Sequence, residues 1–342
     1  MLQKKSIIFF LILSVLGIIS VFFYTGDTAS LLQVAEQINI GLLLLCIIGV
    51  PLADWLIAGL RMWVFSSVLC PTVSYSACVR NCAIGSFMCS VTPSQTGGGV
   101  AQIWVLTQEG ARTGQAIAVL VMTFLTTLCF YIVGAMSLWF AADSITFPAS
   151  VDSGIFATAV SVFGIVAAGL MLALIFPKYV IANIERYAKK FNHRPRLASA
   201  LSKFVNWLRD SSNASDQILK KHKFRFMIAI FLSILIFMNK FLAAYFAALA
   251  LGIEISIEQV IIIQMFLHIL LYFLPTPGGS GGAEIGATLL MASLIPESLL
   301  AAHTIIWRSA LAYFAVLIGG LFFIRYVQKA GTKANLTGNY SA

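Results

Sequence analysis

Charged residues are scarce in this chain of 342 residues. Asp, Glu, Lys and Arg together make up 10% of it, whereas soluble domains usually carry about 25%. Hydrophobic residues make up 60%, and the mean hydropathy is +0.93. A soluble globular domain is therefore excluded, and the composition predicts an integral membrane protein.

The motifs of several enzyme and binding classes are also missing. The sequence has no nucleotide-binding P-loop and no HExxH metal site. Its six cysteines all lie in or beside apolar segments, without CxxC spacing. We interpret them as small apolar packing residues rather than metal ligands or a disulfide framework, and we expect no metal and no cofactor.

Basic residues are absent from two long stretches, between Arg112 and Lys178 and between Lys240 and Arg308. Twelve of the 22 Lys and Arg residues lie instead in the segment from Lys178 to Arg225. With this distribution, the net charge of +9 does not indicate nucleic-acid binding. It follows the positive-inside rule, in which basic loops stay in the cytoplasm.

Apolar runs define the predicted spans, since about 18 residues or more are needed to cross a bilayer. Six runs are long enough, namely 6–24, 40–60, 115–141, 154–176, 224–251 and 299–324. Two further runs, 76–91 and 257–274, are marginal and end in glycine-rich breaks. The first run is interpreted as an uncleaved anchor rather than a signal peptide. We therefore predict a multi-pass protein of the cytoplasmic (inner) membrane with both termini in the cytoplasm.

The two breaks have related sequences, VTPSQTGGGVAQ at 91–102 and LPTPGGSGGAE at 274–284. Aligned without gaps, they share the pattern P-[ST]-x-x-G-x-G-x-A-[QE], with Pro93 opposite Pro275. Each break follows a full span and a marginal run, and each precedes another full span. The two halves of the chain therefore look like one unit used twice.

This repeat leads to the predicted fold class. The first unit contains three crossings, so the second must begin on the opposite face of the membrane. We predict an all-α, polytopic integral membrane protein with six full spans and two broken or re-entrant helical hairpins in an inverted-topology repeat. Its predicted regions are repeat 1 (1–142), the fourth span opening repeat 2 (143–177), a basic cytoplasmic linker (178–223), the remainder of repeat 2 (224–326) and a disordered cytoplasmic tail (327–342).

The linker contains an amphipathic pattern. Apolar residues from Leu197 to Leu208 recur with a helical period, and basic residues lie among the polar positions between them. Such a helix either binds the headgroups of anionic lipid or only fixes the orientation of the chain as a positive-inside anchor.

Interrupted helices at matching positions of an inverted repeat indicate a binding site near the bilayer midplane. The breaks can present backbone amides and helix N-termini to an anionic group. The candidate binding residues of the two breaks are Pro93, Gly97, Gly99, Gln102, Pro275, Gly278, Gly279, Gly281 and Glu284. The alternative is that these small residues only allow transmembrane helices to pack closely.

Ionisable residues inside predicted spans are costly and are therefore candidate functional groups. Arg308 and Lys240 could both bind a phosphate. Arg308 could equally form a structural pair with Glu284, because it lies near the middle of its span and cannot easily reach water. For Lys240, pairing with Asp54 is the favoured interpretation.

Four further ionisable residues have a structural and a functional interpretation. Arg61 and Arg80 lie nearer the predicted cytoplasmic edge. For Arg61, pairing or snorkelling at that edge is the favoured interpretation, whereas Arg80 could contact a phosphate. His268 and His303 are interpreted as polar residues satisfied by neighbouring helices rather than as metal ligands or catalytic bases.

These motifs resemble a known family. LPTPGGSGGAE with the following span, LRMW at 60–63 and TPSQTGGGVAQ in the first half are similar to the lysylphosphatidylglycerol synthase transmembrane region family, also called flippase-like domain proteins. The resemblance covers about 6–325. It is carried mainly by Pro275, Gly278, Gly279, Gly281, Glu284 and Arg308. Gly282 and Ala283 depart from the family pattern, in which many members have a bulkier residue and an arginine.

The resemblance implies an eight-segment helical membrane domain that moves lipids. The membrane half of the multiple peptide resistance factor, which this family resembles, moves aminoacylated phosphatidylglycerol between leaflets. We therefore expect translocation of an anionic or aminoacylated phospholipid or of a lipid-linked precursor. The alternatives are a non-transporting membrane partner of a soluble synthase or glycosyltransferase and, as the least favoured, a lipid enzyme that uses His268 or His303 with Glu284.

Enzyme activity of the synthase type is not expected. The resistance factor also carries a large soluble domain that transfers an aminoacyl group from tRNA. The longest polar segment here is the linker at 178–223, which is too short for such a domain. The resemblance therefore implies neither lysyltransferase activity nor binding of nucleic acid.

Overall fold

The structure is a computed structural model that describes residues 38–141, 153–175 and 220–338, together with a few single positions between 12 and 218. Several predictions lie outside these residues. They are most of the first apolar run at 6–24, the amphipathic pattern from Leu197 to Leu208, and residues 339–342 of the predicted tail. The rest of that tail, residues 327–338, is helical, so the prediction of a disordered tail is wrong there.

The described residues form helices and no strands, so the chain is an all-α, polytopic membrane protein. The helices are α1 (Ile40–Leu69), α2 (Tyr75–Val91), α3 (Gly97–Gln108), α4 (Thr113–Ala141), α5 (Ser153–Ile175), α6 (Lys223–Ala250), α7 (Ile257–Leu271), α8 (Gly282–Met291) and α9 (Glu297–Ala330). Five of these, α1, α4, α5, α6 and α9, are long and apolar enough to cross a membrane. Each corresponds to a predicted span.

The two marginal runs form short helices, as the broken-hairpin prediction requires. In the first half α2 is followed by a short 3₁₀ turn at Pro93–Gln95 and by α3. In the second half α7 is followed by a 3₁₀ turn at Pro277–Gly279 and by α8. The last span is longer than its predicted run of 299–324, since it begins at Glu297 and continues to Ala330. It contains two π-helical segments, Ser309–Tyr313 and Ala315–Gly319.

The two halves repeat at a constant offset in the sequence. The offset of 182 residues, which takes Pro93 to Pro275, also places α1 on α6 and α2 on α7. Even the helix caps correspond, since the Ser74 hydroxyl accepts a hydrogen bond from the N–H of Ala77 and the Ser256 hydroxyl accepts one from the N–H of Gln259. Serine is a favoured N-cap because it satisfies an otherwise unpaired helix donor.

The equivalent helices α1 and α6 run antiparallel at the centre of the molecule. Near the start of α1, the N–H of Asn39 donates to the carbonyl of Ala250 at 2.9 Å. At the other end of α1, Nη1 of Arg225 donates to the carbonyl of Val64 at 3.0 Å. Two equivalent helices that point in opposite directions are what an inverted repeat requires.

We expect the equivalent loops of the two halves to face opposite sides of the membrane. Thr72, between α1 and α2, and Glu254, between α6 and α7, occupy equivalent positions, and both are exposed. In a cysteine-free background, Thr72→Cys and Glu254→Cys should react with an impermeant maleimide from opposite sides of sealed vesicles. Labelling of both from one side would contradict the inverted arrangement, and labelling after detergent permeabilisation controls for access.

Candidate functional site

The first break is closed by hydrogen bonds within itself. Ser94 and Gln95 adopt left-handed backbone conformations, with φ of 50° and 57°. The hydroxyl of Thr92 accepts a hydrogen bond from the N–H of Gly97 at 2.9 Å and donates to the carbonyl of Met88 at 2.6 Å. The first amide of α3 is therefore satisfied by the threonine that ends α2.

The second break depends on glycine. Gly278, Gly279 and Gly281 have φ of 57°, 70° and 83°, a region that other residues rarely adopt. The N–H of Gly281 donates to Oε2 of Glu284 at 2.8 Å, so the carboxylate caps the start of α8. The 3₁₀ turn also begins two positions later in the shared pattern than it does in the first break, so related sequences form different local geometries.

Glu284 and Arg308 form a buried ion pair. Nε of Arg308 lies 2.9 Å from Oε1 of Glu284, and their side chains are 4% and 0% exposed. Both terminal guanidinium nitrogens point towards the carbonyl of Gly278 at 3.4 Å, which is long for a hydrogen bond. The structural pairing considered for these two residues is present, and it ties α9 to the second break.

Lys240 and Asp54 form a second pair between α6 and α1. Nζ of Lys240 lies 3.0 Å from Oδ1 of Asp54, with side-chain exposures of 28% and 12%. The predicted pairing of these two residues is therefore present.

Arg61 lies among the helices rather than at the edge of the bundle. Its Nη1 donates to the hydroxyls of Thr127 on α4 and Ser233 on α6, both at 2.9 Å. Its Nε is buried and has no hydrogen-bond partner in the described part of the chain. The interpretation favoured for Arg61 is pairing or snorkelling at the edge, whereas among the described residues its guanidinium group binds hydroxyls from two other helices.

Arg80 has a different environment. Its Nη2 lies 3.6 Å from Oε1 of Glu109, and its side chain is 41% exposed. The hydroxyl of Tyr326 donates to the same carboxylate oxygen at 2.9 Å. This group connects α2, the end of α3 and α9.

A cavity of about 920 Å³ lies where the two breaks meet. The two 3₁₀ turns lie beside each other, and both contribute to its wall. Its charged lining residues are Asp54, Arg61, Lys240 and Arg308. A second part of the wall is apolar and comes from one face of α4 and one face of α5, through Ile117, Leu120, Val121, Phe124, Leu170, Ala173 and Leu174. The cavity therefore has a cationic region and a hydrocarbon-like region.

The predicted binding residues divide into two groups. Those that line the cavity are Gly99, Gln102, Gly278, Lys240 and Arg308. Those that lie outside its lining are Pro93, Gly97, Pro275, Gly279, Gly281 and Glu284. The second group shapes the breaks: Glu284, for example, is fully buried and bonds to Gly281 and Arg308.

Both histidines have hydrogen-bond partners among the described residues, but only His303 is satisfied by a neighbouring helix, as both were expected to be. Nε2 of His303 lies 2.9 Å from the carbonyl of Ala244 on α6, and Nδ1 of His268 lies 2.9 Å from the carbonyl of Gln264 on its own helix. His268 also lines the cavity. No group of three metal-ligating residues occurs within the described ranges, and the six cysteines are free thiols.

Some lining residues were not among the predicted ones. Ser94, Gln95, Tyr131 and Tyr272 line the cavity, and the first two could have been found because they belong to the first break. Tyr131 and Tyr272 lie in or beside apolar runs, where an aromatic residue carries no distinctive signal. Arg61 was noticed as an ionisable residue, but its place in the cavity depends on α4 and α6.

The residues from Gly278 to Gly282 also fit the letters of the G-x-S-x-G pattern. That pattern marks a hydrolase nucleophile when the serine is exposed on a turn between a strand and a helix. Here Ser280 is 1% exposed, and the turn connects two helices. The context of a nucleophile elbow is therefore missing.

Comparisons with known proteins agree with this architecture. A family model described as "Lysylphosphatidylglycerol synthase TM region" matches residues 7–319. A protein of Archaeoglobus fulgidus described as "UPF0104 membrane protein" is 23% identical over 297 residues, which cover 83% of this chain and 86% of that protein. No solved structure matches the chain.

Proposed function

The chain belongs to the lysylphosphatidylglycerol synthase transmembrane region family, and from this premise we propose that it translocates a lipid between the two leaflets of the cytoplasmic membrane. The substrate class is an anionic or aminoacylated phospholipid or a lipid-linked precursor. Both termini lie in the cytoplasm in this proposal, because the basic residues cluster in the linker between the halves.

The observation that carries the proposal is the two-part wall of the cavity. Three cationic side chains and one carboxylate line its polar region, which suits a charged headgroup. The faces of α4 and α5 supply an apolar region beside it, which suits the first carbons of an acyl chain. A soluble anion would need only the first region, so the combination favours a lipid.

The proposed mechanism uses the inverted repeat. The headgroup enters the polar region between the breaks while the acyl chains stay in the bilayer, and rocking of the two halves about α1 and α6 exposes the cavity to each leaflet in turn. The ion pairs at Lys240 and Arg308 lower the cost of keeping these cations in the apolar interior. The chain has no nucleotide-binding motif, so net transport depends on a lipid or ion gradient or on a partner.

No chemical step is assigned to the chain in this proposal. The lipid is made by a separate enzyme, and a soluble synthase or glycosyltransferase is the class of partner that would supply it.

The direct test is lipid movement in proteoliposomes that contain phosphatidylglycerol with a fluorescent headgroup label. Without translocation, added dithionite bleaches only the outer leaflet, so a protein-dependent increase in the bleached fraction is expected. Mass spectrometry of the recovered lipids separates the alternatives: unchanged masses support translocation, whereas a new lipid species would indicate an enzyme. If the purified protein moved no lipid of the proposed classes, translocation by the chain alone would be ruled out.

A charge-neutral change at the second pair gives a variant test of the same proposal. The double substitution Asp54→Asn with Lys240→Gln removes both charges and leaves the net charge of the cavity unchanged. We expect the translocation rate to fall about tenfold, because the ammonium group of Lys240 is no longer present to contact the headgroup. Lys223→Gln, at the exposed start of α6, is the matched control and should behave as the wild type.

A further inference from the structure

The three cations around the cavity are not equivalent. Arg308 has Glu284 at 2.9 Å and Lys240 has Asp54 at 3.0 Å. Within the described residues, Arg61 has no carboxylate within ion-pair distance, and its Nη1 donates hydrogen bonds to the hydroxyls of Thr127 and Ser233. Arg61 is therefore the cation of the cavity lining without a direct ion pair among the described residues, and Asp54, which pairs with Lys240, acts on it only at longer range.

The hydroxyls orient Arg61 without neutralising it. The Thr127 hydroxyl donates to the carbonyl of Thr123 at 3.2 Å, and the Ser233 hydroxyl donates to the carbonyl of Ala229 at 2.9 Å. Their lone pairs are thereby turned towards Nη1 of Arg61. The buried Nε has no acceptor among the residues that the structure describes, and a buried donor of this kind is normally satisfied by some partner.

We propose that Arg61 binds the phosphodiester of the lipid headgroup, an inference that rests on the translocation function proposed above. A phosphodiester carries one negative charge, and its non-bridging oxygens fit the planar fork of a guanidinium group. Asp54, one of the other charged lining residues, lies seven positions earlier on the same face of α1. The ligand phosphate thus forms a third ion pair, with Arg61, beside those of Glu284 with Arg308 and of Asp54 with Lys240.

The charge balance also predicts a preference among headgroups. With Glu284 and Asp54 paired to Arg308 and Lys240, the cavity has a net charge of one positive unit. A monoanionic headgroup such as phosphatidylglycerol neutralises it, whereas a lysylated headgroup with a net positive charge does not. Phosphatidylglycerol should therefore bind more tightly than its lysylated derivative.

The test is a binding measurement on the full-length protein in detergent, with short-chain dioctanoylphosphatidylglycerol as the probe and thermal stabilisation as the readout. Arg61→Gln should weaken binding about ten- to a hundredfold, as expected for the loss of a charged hydrogen bond. Arg80→Gln removes a guanidinium group that lies outside the cavity lining, so it should leave binding of the probe unchanged. Dioctanoylglycerol, which lacks the phosphate, should bind wild type and Arg61→Gln equally.

Two further variants guard against a folding defect. Thr127→Val removes only the hydroxyl that orients Arg61 and should weaken binding less than Arg61→Gln. Arg61→Lys keeps the charge but loses the fork and should bind with intermediate affinity. Equal affinity of wild type and these variants for the probe, or no binding of the probe to wild type, would overturn the assignment. Inorganic phosphate that bound as tightly as the probe would overturn the lipid as its ligand.

The same variants separate this inference from the proposed function. If binding depends on Arg61 but no lipid moves in proteoliposomes, the phosphate contact stands and translocation fails. If lipid moves at the wild-type rate in Arg61→Gln and binding is unchanged, translocation stands and the role of Arg61 is wrong.

Discussion

Glu284→Gln should destabilise the protein more than any exposed charge substitution. The carboxylate is fully buried, pairs with Nε of Arg308 at 2.9 Å and accepts the N–H of Gly281 at 2.8 Å. Removing one partner of a buried pair leaves an uncompensated charge, which typically costs about 3–5 kcal/mol. We expect a lower unfolding temperature in detergent, followed by tryptophan fluorescence, and a smaller monodisperse fraction.

A double variant tests whether the lost charge balance is the cause. Arg308→Met in the Glu284→Gln background removes the unpaired cation, so the double variant should be more stable than Glu284→Gln alone. Glu254→Gln, an exposed acidic substitution between α6 and α7, is the matched control and should change stability little. A Glu284→Gln protein as stable as the control would show that the pair contributes little to the fold.

Gly319→Ala should give the second large effect, at the contact between α9 and α2. A Cβ at this glycine would lie 2.6 Å from the backbone carbonyl oxygen of Ala83 and 3.0 Å from Cβ of Phe87. A backbone atom cannot rotate away as a side chain can, so the helices must separate, and overpacking of this kind costs about 1–3 kcal/mol. We expect a lower unfolding temperature together with slower lipid translocation, because α9 also carries Arg308.

Gly169→Ala provides the opposite case on α5. A Cβ there meets no atom within 4 Å, and alanine is favoured over glycine inside a helix by up to about 1 kcal/mol. Stability should therefore stay the same or rise slightly. If Gly319→Ala behaved like Gly169→Ala, the close contact of α9 with α2 would not limit stability.

The two breaks show where prediction from sequence worked and where it stopped. The shared pattern placed an interruption after α2 and another after α7, and both are present. The pattern did not specify the geometry inside each break, and the 3₁₀ turns begin at different positions of the pattern. The difference has a local cause, because Thr92 caps Gly97 in the first break, whereas Glu284 caps Gly281 in the second.

The charged residues also include contacts that the sequence predicted and one position that it did not. The pairs of Glu284 with Arg308 and of Asp54 with Lys240 were foreseeable, since an ionisable group in a span needs a partner and few are present. The position of Arg61 was not foreseeable. Its contacts with Thr127 and Ser233 connect residues 66 and 172 positions apart, and hydroxyl residues are common enough in apolar helices that neither stands out.

The sequence by itself determined that the chain is a helical membrane protein, where its described spans lie, and that its two halves repeat with broken helices at matching positions. It could do so because hydrocarbon imposes a minimum span length and tolerates an unpaired backbone only at protected sites. Only the tertiary structure decided which of these groups meet. In the folded protein Glu284 lies outside the cavity lining and Arg61 belongs to it. Each of these positions depends on donors and acceptors that distant helices bring together.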